Sequence, residues 1–186
     1  LIESAVAKIS KIVRTLLLFA RDGDKDPFAN IDARVLIDDT LELCRERFRS
    51  HGIHLTVEVS GENFFLECRT TQIAQSLLNL LNNAHDAVEK MSETERKWVK
   101  IQLNHSGDEV LIAVCDGGFG IEPKNRNKIF ESHFVKDSGE KPTGFGLSIT
   151  KKITEEHRGK LILDSSSLFT RFLIRLPFKH AIGQPS

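Results

Sequence analysis

The chain has 186 residues with 26 Lys plus Arg against 26 Asp plus Glu, and a formal charge of zero argues against an electrostatic nucleic-acid binder. Hydrophobic residues make up 40%, enough for one globular domain with a sizeable core, and the longest strongly apolar stretch, around Leu16–Ala20, is far short of the ~20 residues that span a bilayer. Cys44, Cys68 and Cys115 are odd in number and widely spaced, which excludes a disulfide framework or four-cysteine zinc site and reads as buried thiols in a reducing compartment.

Apolar residues at Ile2, Val6, Ile9, Val13, Leu16 and Ala20 step by four and three, a single stripe on a long helix that needs a partner. Asp22-Gly23-Asp24-Lys25-Asp26-Pro27 stops it and marks the domain boundary. Ile31-Asp32 leads into a second helix with Val35, Leu36, Leu41, Leu43 and Phe48 on its apolar side, ended by Gly52. His54–Val59 alternates as a half-buried strand does, and Phe64–Cys68 is a second, shorter one. Thr70–Met91 follows as a helix. Strands at Val99–Asn104 and Val110–Cys115 are joined by a turn at Ser106-Gly107-Asp108. After a loop-rich tract, Asp116–Thr143, comes a helix at Gly144–His157, ended by Gly159. Strands at Lys160–Asp164 and Arg171–Leu176 close the pattern. The order predicts an α+β fold, a two-layer α/β sandwich with a mixed, mostly antiparallel sheet packed on helices and one long helix before it.

On a wheel at 100° per residue, Thr70–Met91 places Ile73, Leu77, Leu80, Leu81, Ala84 and Val88 on one side. The other side gathers Gln72, Gln75, Asn79, Asn82, Asn83 and Asp86. A solvated helix face ordinarily carries Lys, Glu and Arg, whereas Asn costs up to ~0.7 kcal/mol relative to Ala. Asn79 and Asn83, one turn apart, can aim two carbonyl oxygens at a Mg²⁺ that keeps waters and phosphate ligands. An amide network facing another segment is the alternative, and the helix alone leaves both open.

Asp116-Gly117-Gly118-Phe119-Gly120-Ile121 follows an apolar strand, and its glycines permit close approach to a ligand. A carboxylate there can accept an amino hydrogen such as that of adenine; a plain tight turn is the alternative. A second glycine segment, Gly139–Gly146, ends in Thr143-Gly144-Phe145-Gly146-Leu147 and opens a helix, the arrangement of an anion site. It lacks the Gly-Lys-Ser/Thr ending of a P-loop.

Taken together in this order, these motifs resemble the catalytic ATP-binding domain of bacterial two-component sensor histidine kinases, a branch of the superfamily shared with gyrase, mismatch-repair ATPases and the large heat-shock chaperone. Gln75–Ala84 looks like the family's N box, Asp116–Ile121 its G1 box, Phe130–Phe134 its F box and Gly144–Leu147 its G2 box. Residues 1–22, ending near Leu18-Phe19-Ala20-Arg21, resemble the second helix of the dimerisation and histidine-phosphotransfer domain; residues 23–180 would be the catalytic domain and 181–186 a tail.

The resemblance implies a Bergerat ATP-binding fold with ATP and Mg²⁺ as cofactors. Asn83 with Asn79 would hold Mg²⁺ against the phosphates, and Asp116 would read the adenine amine. Gly118 and Gly120 would pass close to the base, and Gly144 and Gly146 would present amides to the phosphates. Residues 135–143 would form an ATP lid whose Lys136 and Lys141 neutralise phosphate charge, Lys136 doubling as a catalytic group. Asp86, Ile121, Phe130, Thr143, Phe145 and Leu147 are counted with the nucleotide contacts, and Thr170 would support Asp116 through water. Implied partners are a response-regulator receiver domain and, through the helix of residues 1–22, a second copy of the chain, with cytoplasmic localisation and neither nucleic acid nor a membrane segment. Hydrolases of the superfamily carry Glu where Asn79 stands, and an amide cannot activate water as that carboxylate can, so transfer of the γ-phosphoryl to a histidine is expected over hydrolysis. No histidine precedes His51, Leu1 is not a start Met, and the acceptor histidine is therefore expected upstream. A nucleotide-responsive module without transfer, or a superfamily ATPase, are the alternative functions.

Three positions depart from the family pattern: Gly117 replaces the usual Asn after the G1 Asp, Pro142 stands before Thr-Gly, and Ser165-Ser166-Ser167-Leu168-Phe169 lacks glycines. His157, near a helix C-terminus, is expected to favour its cation. His133, beside the lid, is a candidate phosphate contact.

Overall fold

In the computed structural model, Asp32 accepts the Arg34 N–H at 2.9 Å and caps the first helix, α1 (Ala33–Ser50). The structure describes residues 26–92, 96–131 and 146–178. The predicted helix of residues 1–21 lies outside that range. Just before α1 the chain forms a short strand, β1 (Ala29–Asp32), which the sequence reading merged into the approach to the helix. It pairs antiparallel with β3 (Phe65–Cys68), Ala29 opposite Cys68 and Asp32 opposite Phe65. The buried stripe of α1 is Leu36, Ile37, Leu41, Cys44 and Phe48, and Val35, predicted to face inward, is 51% exposed because it falls about 100° off that stripe. Gly52, with φ +66°, takes the left-handed conformation that releases the chain from the helix.

The main sheet has the order β2-β4-β5-β7-β6, built from β2 (His54–Val59), β4 (Trp98–Ser106), β5 (Glu109–Asp116), β6 (Lys160–Leu163) and β7 (Thr170–Pro177). Only β2 and β4 run parallel; the other three pairs are antiparallel, and Gly107, with φ +56°, makes the tight β4–β5 turn. Alternation along the strands sends Val99, Ile101, Leu103, Val110, Ile112, Val114 and Ile174 into the core. Against them lies α2 (Thr70–Glu89), whose Ile73, Leu77, Leu80, Leu81, Ala84 and Val88 are all buried as the wheel predicts. Each such aliphatic side chain contributes roughly 1.5–3 kcal/mol of burial free energy. α1 touches β2, α2 touches β4 and β5, and α3 (Gly146–Glu156) touches β6 and β7, so the helices form one layer ordered like the sheet beneath. Gly159 is required where α3 returns to the sheet, since a Cβ there would lie 2.1 Å from the Arg175 carbonyl oxygen. The result is the predicted mixed, mostly antiparallel two-layer sandwich.

Candidate nucleotide site

The site is built on the polar side of α2. Asn79 Nδ2 faces the Gly146 carbonyl oxygen at 3.3 Å and Thr150 Oγ1 at 3.4 Å, so the first turn of α3 rests on this amide. Thr150 Oγ1 itself donates to the Gly146 carbonyl at 2.8 Å. Asn83, one turn along, is exposed, and its amide makes no hydrogen bond to any described residue. Ala87 comes one turn later, and a Cβ added to Gly118 would lie 3.0 Å from the Ala87 Cβ and 2.8 Å from Asp116 Oδ1. The line Asn79, Asn83, Ala87 therefore runs from Gly146 to Gly118. Two amide oxygens on adjacent turns are a donor set that fits a hard cation already partly coordinated by phosphate.

Asp116 ends β5 and is 3% exposed. Its Oδ1 accepts the Gly118 N–H at 3.0 Å, which folds the glycine turn back over the acid, and Thr170 stands opposite it in register. Gly120 takes φ +78°, and Arg126 Nε donates to the Ile121 carbonyl at 3.2 Å to hold the far end of the turn. Ile121, Phe130 and Leu147 pack against the core, with Phe130 edge-on to Phe172 at 6.3 Å. Phe119, between the glycines, is 75% exposed.

The departure at Gly117 has a local cause. A Cβ at this position would lie 2.3 Å from Trp98 Nε1, so the indole occupies the space an Asn would need. Trp98 in turn stacks edge-on against Phe169 at 5.0 Å, within the segment that lacks the family's glycines. Nothing in local spacing links residues 98, 117 and 169.

Asp86 is engaged by α1. Its Oδ1 accepts from Arg47 Nη2 at 3.1 Å and lies 3.2 Å from His85 Nδ1, while Arg47 Nη1 donates to Asn82 Oδ1 at 3.0 Å. Asp86 and Asn82 bond Arg47 of α1; Asn82 lies about 100° round the helix from Asn83, whereas Asp86 lies about 60° from Asn83 and about 20° from Asn79, so one polar face serves two neighbours. Lys136, Lys141, Thr143, Gly144, Phe145 and His133 lie outside the described residues.

His157 corrects the expectation of a cation. Its Nδ1 meets the Ile153 carbonyl at 2.7 Å and must donate, while Nε2 accepts the Arg69 N–H at 3.0 Å. That pairing fixes the neutral tautomer, and burial pushes its pKa below the ordinary value of 6.5. His85 is fully buried, and burial lowers its pKa in the same direction. The three cysteines are free and buried, with the Cys68 thiol pushed up to about 11 by burial.

The class of domain is set by solved structures. The nucleotide-free catalytic domain of the histidine kinase ThkA superposes with a TM-score of 0.70 at 29% identity, covering 81% of this chain and 97% of that one. ThkA in complex with the response regulator TrrA matches with a TM-score of 0.69 at 25% identity, over 96% of this chain and 49% of that one. Residues 68–180 match the family described as histidine kinase-, DNA gyrase B-, and HSP90-like ATPase, and the chain belongs to it, as the ATPase domain of a two-component sensor kinase. An NtrY-like sensor histidine kinase of Rickettsia bellii is 34% identical over 153 residues, 82% of this chain and 24% of the relative. The adaptive-response sensory kinase SasA of Rippkaea orientalis is 30% identical over 133 residues, 70% of this chain and 33% of the relative. The chain thus spans about a quarter to a third of the length of these relatives.

Proposed function

We propose that the chain binds Mg·ATP and passes the γ-phosphoryl to a histidine outside residues 1–186. The observation that carries this reading is the row Asn79, Asn83 beneath the start of α3, with buried Asp116 at the adjoining strand end. Asn83, helped by Asn79, holds the metal; bound there, Mg²⁺ supplies charge neutralisation and alignment of the phosphates. Asp116 accepts from the adenine amine while it holds its own turn through Gly118. The α3 terminus at Gly146 and Leu147, with Gly144 and Thr143 before it, offers N–H groups to phosphate oxygens. Lys136 and Lys141 add positive charge from the lid, and Thr170 supports Asp116.

The absence of a carboxylate at position 79 is what favours transfer over hydrolysis. No side chain in the row can take a proton from water, so catalysis rests on positioning and charge neutralisation, and the acceptor must bring its own nucleophile. Residues 1–22 serve as one bundle helix of a homodimeric phosphotransfer domain, residues 23–180 as the catalytic domain, and the phosphoryl passes on to a receiver-domain aspartate. ATP dependence places this step in the cytoplasm.

The direct test is to mix the chain with a fragment carrying the upstream helix and γ-labelled ATP. Acid-labile, base-stable label on that fragment is expected. ATP binding with no label would leave a nucleotide-responsive module instead. Asp116→Asn should weaken ATP by ~10- to 100-fold, through loss of the charge-assisted bond, and unchanged affinity would remove Asp116 from adenine recognition.

A further inference from the structure

On the side of α2 away from the glycine segments, the ends of α1 and α2 bring two imidazoles and a carboxylate together. His85 and Glu89 are four residues apart on α2 and share a face, and His51 is the C-cap of α1. Each offers one ligand atom, and the three atoms lie within 4.8 Å of one another. His51 Nε2 is 3.2 Å from Glu89 Oε1, and His85 Nδ1 is 3.6 Å from Glu89 Oε2 and 3.2 Å from Asp86 Oδ1. The two rings meet edge to face at 4.8 Å.

The second nitrogen of His51 is already oriented. Its Nδ1 stands 2.8 Å from the Arg47 carbonyl oxygen, which can only accept, so Nδ1 carries a proton and donates. That leaves Nε2 as the atom turned toward the Glu89 carboxylate. Four tetrahedral ligands at ~2.0–2.1 Å from zinc sit about 3.3 Å from one another, close to the two separations from Glu89, while all three ligand atoms fall within 4.8 Å. A ligating imidazole usually donates its second nitrogen to a backbone carbonyl or carboxylate, and the Arg47 carbonyl plays that part here. His85 is fully buried, whereas the His51 and Glu89 side chains are 42% and 44% exposed.

We propose that His51, His85 and Glu89 form a binding site for a divalent transition metal of the Zn²⁺ type, clasping the end of α1 to the end of α2. Two imidazoles and one carboxylate select zinc and its neighbours over Mg²⁺ or Ca²⁺, which take oxygen ligands. Three protein ligands leave a fourth position for water. The site is separate from the Asn79 and Asn83 row, and its existence does not depend on nucleotide binding. The three buried cysteines cannot supply a competing surface site.

The test uses the tag-free chain stripped with chelator and titrated with Zn²⁺ at neutral pH without nucleotide, followed by calorimetry and thermal melting. One zinc per chain and a zinc-dependent rise in Tm are expected. His51→Ala and Glu89→Gln, both at exposed positions, should each weaken zinc by at least ~10- to 100-fold, by analogy with the loss of supporting ligands at metal sites, and leave the metal-free Tm nearly unchanged. Zinc affinity unaltered in both variants places the ion elsewhere and overturns the proposal. So does an equal response to Mg²⁺. Absence of any zinc binding also overturns it.

Discussion

The two polar sides of α2 are made of the same residue types and do opposite things. On one, Asn79 and Asn83 form a row with Gly146 at one end, and the Asn83 amide makes no hydrogen bond to any described residue. On the other, Asn82 and Asp86 each give an oxygen to the guanidinium of Arg47 across from α1. One step of 100° separates Asn83 from Asn82, which joins two helices. Amide enrichment on a helix therefore marks polar contact without saying with what; the facing element decides. Backbone and glycine face Asn79, and a cation faces Asn82.

The largest test of this division is Asn83→Ala. Calorimetry with a non-hydrolysable ATP analogue should show Mg²⁺-dependent affinity reduced at least ~100-fold, about 2.7 kcal/mol, with stability changed by no more than about 0.5 kcal/mol because the side chain is exposed. A large loss of stability with intact metal dependence would move Asn83 to the structural side. Next in size is Gly117→Asn, which restores the family's usual residue. With Trp98 Nε1 only 2.3 Å from the Cβ position, urea unfolding should register a loss of ~1–3 kcal/mol from overpacking. Combined with Trp98→Ala, the loss should fall short of the sum of the single changes, since the two side chains contest the same space. Additive effects would mean that Gly117 is needed for the ligand alone.

Much of this domain was legible because its periodicities are long. The apolar stripe of α2 and the alternation of β4, β5 and β7 cover enough residues to define element and inward face together. β1 was not legible: four residues with Ile31 as their one large aliphatic give no pattern, and the strand exists because β3 pairs with it. The parallel pairing of β2 with β4 depends on α2 crossing between them and leaves no trace in either strand's residues. Asp116 and the glycines announced themselves by spacing, whereas Trp98 against Gly117, Arg47 against Asp86 and His51 against Glu89 join residues 19 to 39 positions apart whose types are ordinary for a surface. His157 misled because a helix C-terminus favours a cation only when water can reach it, and here Arg69 N–H already occupies Nε2.

That histidine supplies the third test, because it fastens the end of α3, and so the element resting on Asn79, to the residue before α2. Its folded pKa is depressed below 6.5, so at mildly acid pH the unfolded chain binds a proton that the native chain does not. Stability should therefore fall as pH drops below about 6.5, with a slope of at most about 1.4 kcal/mol per pH unit for this proton until the folded pKa is passed. Buried His85 acts with the same sign. Urea midpoints from pH 7.5 to 5 would measure the slope, and His157→Gln should flatten it.

The smallest effect is reserved for the other side of α2. Arg47→Ala removes two hydrogen bonds, but the Arg47 and Asp86 side chains are 46% and 54% exposed, so water and salt screen the pair. A loss of ~0.5–1 kcal/mol is expected, shrinking at high ionic strength, with Mg·ATP affinity unchanged within twofold. The affinity matters more than the stability. If Arg47→Ala weakened nucleotide binding as Asn83→Ala does, the two sides of α2 would be coupled, and the α1 clasp would set the rotation of the helix and with it the aim of Asn83. If affinity holds while stability drops, the helix keeps its orientation through Ile73, Leu77, Leu81 and Val88 alone, and the polar contacts to α1 are free to change without altering the nucleotide side.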